Sequence, residues 1–181
     1  MNAAGNKAVQ AWYTAMLTGG NQSFVSAAQL AEQRLQTAIQ ELKAPAAPLV
    51  AASRSEVPLE RRGGSYWANV EINRAASSPF LVDTGAEDFV IPFGLFEGLV
   101  EAGALTPGDT LGGPVPIGVA GGATTVGATV NIREVRVGDW VARNVAAVIV
   151  PGGDPLLGQS VLSRFGSVTV DYQRQVLVMS R

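Results

Sequence analysis

The chain has 181 residues, of which 47% are hydrophobic and 15% are charged, and its formal net charge at pH 7 is -2. This size and apolar content allow one compact domain with an additional segment, and the small charge gives no reason to expect nucleic acid or an anionic membrane as a partner. The sequence contains no His and no Cys. It therefore excludes Ser-His-Asp and Cys-His catalysis, zinc sites built on His or thiolate, and disulfide bonds, and it leaves carboxylate chemistry as the main hydrolytic option, with no metal or other cofactor expected.

Residues 1–43 differ in composition from the rest of the chain and are predicted to form an α-helical hairpin. They are rich in Ala and Gln and contain no Pro. One face of the first helix carries Ala8, Trp12, Ala15 and Met16, and Gly19-Gly20 end it. A second helix over 24–42 has an apolar stripe typical of a coiled coil, which could assist dimerisation or cover a cleft as a regulatory segment. The stripe is short and half alanine, which favours an amphipathic helix packed on its neighbour or on the following domain.

Residues 44–61 are predicted to be an extended linker that leads into a domain over 62–181. Three prolines lie in this stretch, which favours a solvated tether over a self-cleavage site. No run approaches the roughly 20 apolar residues of a membrane span, and no signal-peptide pattern is present. We expect the chain as given to be soluble, in the cytoplasm or the periplasm, and the sequence leaves open an anchoring segment outside it.

Two predicted strands lead to an Asp-Thr-Gly tripeptide at 83–85. Residues 66–72 carry aromatic and β-branched side chains on a period near two, and residues 79–82 form a short apolar run. An isolated Asp-Thr-Gly is also an ordinary turn between strands, so its context decides between a catalytic and a structural turn. A second pattern supplies that context, since the apolar pair Leu156-Leu157 and Gly158 precede a helix-like stretch over 159–165 and two closing strands over 168–172 and 176–179.

Peptide hydrolysis without a metal or a covalent intermediate requires two carboxyl groups. One carboxylate acts as a base on water, and one carboxylic acid polarises the scissile carbonyl. Of the six aspartates in the chain, only Asp83 is followed by Ser or Thr and then Gly. The second carboxyl group is therefore expected from Asp83 of another copy, across a two-fold axis.

With these two motifs, residues 62–181 resemble the retropepsin family, the dimeric aspartic proteases of retroviruses and their bacterial relatives. The resemblance implies a mainly β protein: a closed, single-lobe β-barrel of the acid protease fold, dimeric, with one short C-terminal helix. It implies an aspartic endopeptidase whose substrate is a polypeptide, cleaved by a water held between two Asp83 carboxylates. A catalytically silent dimeric module that binds peptides or supports assembly is the alternative.

The resemblance also implies roles for individual residues. Asp83 would be catalytic, Thr84 would lock the two turns together, and Gly85 would let the substrate backbone approach. The family's second structural element corresponds to Leu156, Leu157 and Gly158, and the substrate cleft would be lined by Ala86, Glu87 and Asp88. Retroviral members carry a basic residue directly after this second Gly, where it supports the acidic residue beyond the turn. This chain has Gln159 there, which leaves the support of Glu87 open.

Residues 116–126 are the candidate for a flap, the hairpin that closes over substrate and excludes water. A Gly pair beside β-branched residues is typical of such a tip, and the substrate-binding residues predicted there are Val119, Ala120, Gly121 and Gly122. An ordinary surface loop is the alternative. The glycine-rich runs lack the spacing of phosphate-binding loops. Weaker candidates for the substrate pocket are Val90, Ile91 and Val161, for which core packing is an equally good explanation.

Overall fold

A computed structural model of the chain describes residues 3–18, 54–118 and 124–181. Within these residues there are three helices, α1 (Ala3–Thr18), α2 (Phe93–Glu101) and α3 (Gln159–Leu162), and a 3-10 turn, Ser163–Phe165, extends α3. The strands are β1 (Arg54–Arg62), β2 (Ser65–Ile72), β3 (Ala76–Val82), β4 (Phe89–Pro92), β5 (Thr110–Gly118), β6 (Thr124–Val137), β7 (Trp140–Val150), β8 (Leu156–Leu157), β9 (Ser167–Asp171) and β10 (Val176–Ser180). The predicted mainly β class is confirmed.

The strands form one sheet whose pairing order brings distant parts of the sequence together. The order is β5-β6-β7-β4-β8-β3-β2-β1-β10-β9, and a further pairing joins β6 to β2. Strand β8 runs parallel to β3, with Val82 opposite Leu157. Because Asp83 follows Val82 directly and Gly158 follows Leu157 directly, the two motifs leave the sheet side by side.

A stacked aromatic pair anchors the strands on either side of the Asp83 turn. The rings of Phe80 in β3 and Phe89 in β4 lie 4.8 Å apart at an interplanar angle of 14°. Both side chains are fully buried, and burial of an aromatic side chain of this size contributes roughly 1.5–3 kcal/mol to stability. The turn between them is therefore tied at both ends to the core.

The prediction of one short helix in the domain was incomplete. Helix α3 and its 3-10 extension lie where the helix over 159–165 was predicted, but α2 is an additional nine-residue helix. Two glycines lower its intrinsic helix propensity, which hid it from sequence analysis. Its formation is explained by tertiary packing, because Phe96 and Leu99 lie three residues apart on one face and are both fully buried.

Part of the predicted linker is a strand of the sheet. Residues 54–61 belong to β1, which pairs with β10 through its first half and with β2 through its second half. The alternation of Val57 and Leu59, both buried, with exposed neighbours explains why this stretch adds to the sheet. The rest of the predicted linker, residues 44–53, lies outside the described residues.

The first predicted helix is present as α1, but its buried face is rotated from the predicted one. Val9, Tyr13 and Met16 are buried, whereas Ala8 is exposed. The second predicted helix lies outside the described residues, so the hairpin stays a prediction. Among residues 3–18, 54–118 and 124–181, no helix has the length and apolar character that crossing a membrane would require.

Glu134 is a nearly buried acid held by arginines, and it should make stability depend on pH. Its carboxylate accepts hydrogen bonds from Arg74 Nε at 2.9 Å and Arg74 Nη2 at 3.0 Å, and from Arg136 at 3.1 Å. The bond to Arg74 is the main reason that the pKa of Glu134 is lowered from its ordinary value of 4.5. A lowered pKa means stabilisation that is present above pH 4.5 and lost as the pH falls through the lower folded-state pKa.

We therefore expect Glu134→Gln to lower the melting temperature at pH 7, with the difference from wild type shrinking as the pH falls below 4.5. Thermal melts from pH 3 to pH 7 measure this. Glu60→Gln is the control, because Glu60 pairs with Arg62 at an exposed site and should change stability less. Equal effects of the two substitutions at pH 7 would contradict the assignment.

Candidate active site

Asp83 lies where β3 ends, and the backbone of its own turn orients its carboxylate. The Asp83 N–H donates to the Leu157 carbonyl at 3.3 Å. Asp83 Oδ1 accepts the N–H of Gly85 at 2.9 Å and the N–H of Ala86 at 3.2 Å. These bonds set the direction of the carboxylate before any ligand arrives, which is the preorganisation that acid-base catalysis requires.

The turn itself is accessible in a single chain. Thr84 and Gly85 are exposed and Asp83 is half-buried. A Cβ placed on Gly85 would lie 3.3 Å from Asp83 Oδ1, closer than an ordinary van der Waals contact. Glycine at this position therefore leaves the carboxylate undisturbed, in addition to the predicted role of admitting a substrate backbone.

The second motif packs directly against the segment that follows the turn. A Cβ on Gly158 would lie 2.2 Å from the Asp88 carbonyl oxygen and 2.8 Å from the Ala86 carbonyl oxygen. The next two residues continue the contact, since Gln159 N–H donates to the Ala86 carbonyl at 2.9 Å and Ser160 N–H donates to the Glu87 carbonyl at 2.8 Å. The structure thus brings the two sequence motifs into contact, and it places Leu156 and Leu157 in β8 beside the strand that carries Asp83.

Gln159 binds the turn through its side chain, a contact that sequence analysis did not anticipate. Its Nε2 donates to the Thr84 carbonyl at 2.9 Å. In retroviral proteases, the basic residue at this position is expected to support the acidic residue beyond the turn. In this chain, the Gln159 amide instead holds the turn itself. The backbone N–H of Ser160 donates to the backbone carbonyl of Glu87, which holds the backbone at this position and leaves the carboxylate side chain exposed. The only signal in the sequence was the position of Gln159 directly after the second motif.

Two further carboxylates follow the turn. Glu87 is exposed and Asp88 is half-buried. Burial raises the pKa of Asp88, and the nearby negative charge of Glu87 raises it further. Asp88 therefore keeps its proton to a higher pH than an exposed aspartate does.

A small apolar cluster, here called the second apolar cluster, lies beside the turn and apart from the main core. Val90, Val148 and Val150 are its buried members, and the partly buried residues that pack on them are Val115, Ile117 and Leu156. Leu156 pairs with Val90 in β4 and with Leu81, two residues before Asp83. Among the sequence candidates for the substrate pocket, Val90 belongs to this cluster.

The other two pocket candidates, Ile91 and Val161, are fully buried in the main core, so packing explains them. The tip residues predicted for the flap, 119–122, lie outside the described residues. The two arms that lead to them, β5 and β6, pair as far as Gly118 opposite Thr124. Sequence analysis did not place β5 or β7 in the second apolar cluster. The end of β5 was interpreted only as part of the flap candidate over 116–126, and the apolar sequence of β7 does not specify which strands it meets.

Comparisons with known proteins agree with this geometry. A family model described as "gag-polyprotein putative aspartyl protease" matches residues 68–164, a stretch that contains both motifs. The fold is similar to the crystal structure of a retropepsin-like aspartic protease from Rickettsia conorii, with a TM-score of 0.54 and 21% sequence identity, covering 72% of this chain and 93% of that chain. No curated protein matches the chain in sequence.

Proposed function

This chain belongs to the retropepsin-like aspartic protease family, and from that premise we propose that it is an aspartic endopeptidase that acts on polypeptides as a homodimer. The observation that carries the proposal is the Asp83 turn. It presents a half-buried carboxylate oriented by two backbone amides, within the one Asp-Thr-Gly tripeptide of the sequence. Because the chemistry needs two carboxyl groups, the second is assigned to Asp83 of a partner copy.

The proposed dimer joins the two turns about a two-fold axis. Two carboxyl groups brought to about 3 Å share one proton and titrate as a coupled pair. The exposed Thr84 is assigned to the contact between the turns, and the exposed Gly85 to the close approach of the substrate backbone. Strand β2 pairs with β6 in addition to its neighbours β3 and β1 in the sheet order. This additional pairing supports the further proposal that each chain forms a closed single-lobe barrel.

In the proposed mechanism the two Asp83 side chains have different protonation states. The ionised carboxylate takes a proton from a water molecule, whose oxygen attacks the scissile carbonyl carbon. The protonated carboxyl group donates its proton toward the carbonyl oxygen, forming a tetrahedral gem-diol. The Asp83 that took the proton from water then gives it to the departing nitrogen, and the other Asp83 takes a proton back from a hydroxyl of the gem-diol as the C–N bond breaks. One carboxyl and one amine product are released, and the pair again holds one proton.

The substrate is proposed to bind as an extended strand. Backbone hydrogen bonds would hold it, and side chains would enter alternate pockets. We assign Ala86, Glu87 and Asp88 to the walls of this cleft, and residues 119–122 to the flap. The second apolar cluster offers apolar side chains next to the turn, so apolar substrate residues are expected near the cleaved bond.

Mixing subunits tests whether two Asp83 residues make one site. Adding Asp83→Asn chains to a fixed amount of wild type, with exchange allowed, should lower activity to about half at equal amounts and to about one tenth at a roughly ninefold excess, because mixed dimers hold one carboxylate. Cleavage of a peptide library measures the activity.

Adding Asp171→Asn chains is the control, because Asp171 accepts turn amides in the same way as Asp83 but lies in the β9–β10 turn. Those chains should raise activity. If wild-type activity stayed unchanged when Asp83→Asn chains were added, the proposal of a site shared between two chains would be refuted. No cleavage by wild type at any concentration would favour the peptide-binding module.

A further inference from the structure

Helix α1 precedes the residues matched by the family, 68–164, yet it packs tightly on the protease body. The Trp12 ring lies 4.9 Å from the Phe96 ring of α2, and the Tyr13 ring lies 4.8 Å from the Phe93 ring. Tyr13 and Val9 are buried by this contact. The helix is therefore seated on a specific aromatic surface.

The same helix contacts the start of β5. Trp12 Nε1 donates to Thr110 Oγ1 at 3.0 Å, and Thr110 Oγ1 lies 3.7 Å from Met16 Sδ. A Cβ on Gly113 would lie 2.8 Å from the Met16 carbonyl oxygen and 3.3 Å from Ala128 Cα in β6. The backbone of β5 is thus held between α1 on one side and β6 on the other.

Strand β5 has three features that weaken its hold on the sheet. It is one of the two terminal strands of the sheet, with β9 at the other end, and it pairs with β6 alone. Its register with β6 shifts between Thr110 and Val115, and it contains two prolines, Pro114 and Pro116, which donate no backbone hydrogen bond. An edge strand whose pairing is interrupted by a register shift and by prolines opens more easily unless another element covers it.

The contact between α1 and β5 bears on function because β5 carries two residues of the second apolar cluster. Val115 and Ile117 pack in the second apolar cluster beside the Asp83 turn. We infer that α1 is a positioning element for substrate binding: by holding the start of β5 through Trp12, Thr110 and Met16, it places Val115 and Ile117 where apolar substrate side chains bind. This inference rests on the proposed protease function.

Two substitutions that place the same charge on opposite faces of α1 test this positioning role in the full chain. Val9→Asp puts a carboxylate on the buried face, and Ala11→Asp puts the same charge on the exposed face. Amide hydrogen exchange should speed up about tenfold or more in β5 for Val9→Asp and stay unchanged for Ala11→Asp. Exchange in β9 and β10 serves as the internal reference.

Two conservative substitutions test the link to catalysis. Trp12→Phe and Thr110→Val each remove the hydrogen bond between these residues while keeping most of the packing. Each should raise KM for an apolar peptide by about two- to tenfold, with kcat little changed. The double variant should resemble either single variant, because both remove the same bond.

The outcomes separate the inference from the function on which it rests. Unchanged exchange in β5 for Val9→Asp, or a uniform increase that includes β9 and β10, would overturn the positioning role. So would an unchanged KM in Trp12→Phe and Thr110→Val with an active wild type. A wild type that cleaves nothing would refute the protease proposal, and the exchange experiment would still decide whether α1 holds β5.

Discussion

Asp83→Asn should lower kcat by about 10⁴-fold while leaving the fold intact. The substitution removes the general base and the general acid together, because both chains of the dimer carry it, and each such function contributes up to about 10⁴-fold. The turn should survive, since the amide oxygen of Asn can accept the N–H groups of Gly85 and Ala86 that Asp83 Oδ1 accepts now. We expect the free energy of unfolding to change by less than about 1 kcal/mol.

Cleavage of a peptide library, from acidic to neutral pH, measures the loss, and circular dichroism with thermal melting measures the fold. Asp171→Asn is the matched control: Asp171 Oδ1 accepts the N–H groups of Gln173 and Arg174, two and three residues on, in the same geometry as Asp83. It should keep full activity. An Asp83→Asn variant that still cleaves as wild type does would refute carboxylate catalysis at this turn.

The sequence predicted the parts of the fold that local pattern determines. A period near two in the aromatic and β-branched residues located β2, a short apolar run located β10, and the two short motifs located the Asp83 turn and Gly158. The contact between these motifs was implied only by resemblance. It arises from the parallel pairing of β3 with β8, a long-range arrangement that no local period encodes.

The features that sequence analysis missed depend on tertiary contacts. Helix α2 forms despite two glycines because Phe96 and Leu99 are buried, and β1 begins inside a proline-containing stretch because Val57 and Leu59 meet the core. Sequence analysis treated Gln159 only as the absence of a basic residue, whereas its side-chain amide donates a hydrogen bond to the Thr84 carbonyl of the turn. An amide N–H is a suitable donor for a carbonyl oxygen, so the turn keeps a side-chain hydrogen bond at this position without a basic residue.

Gly158→Ala should lower activity strongly, although less than Asp83→Asn does, because the added Cβ displaces neighbouring backbone atoms. The backbone at Gly158 has φ of -93°, which any residue adopts, so strain in the backbone is not the cause. The added Cβ would instead meet the carbonyl oxygens of Asp88 and Ala86 at 2.2 Å and 2.8 Å, and backbone atoms cannot rotate away as a side chain can. We expect a loss of about 2–3 kcal/mol in the free energy of unfolding.

Relief of this clash must move either α3 or the segment that follows Asp83. Because the amides of Gln159 and Ser160 hold that segment, a displacement near 1 Å would pass to the carboxylate, and kcat/KM should fall by about 100-fold. Chemical denaturation and steady-state kinetics measure the two effects. Gly152→Ala is the control, since a Cβ there meets nothing within 4 Å. A folded Gly158→Ala variant with wild-type kinetics would show that this contact does not set the position of Asp83.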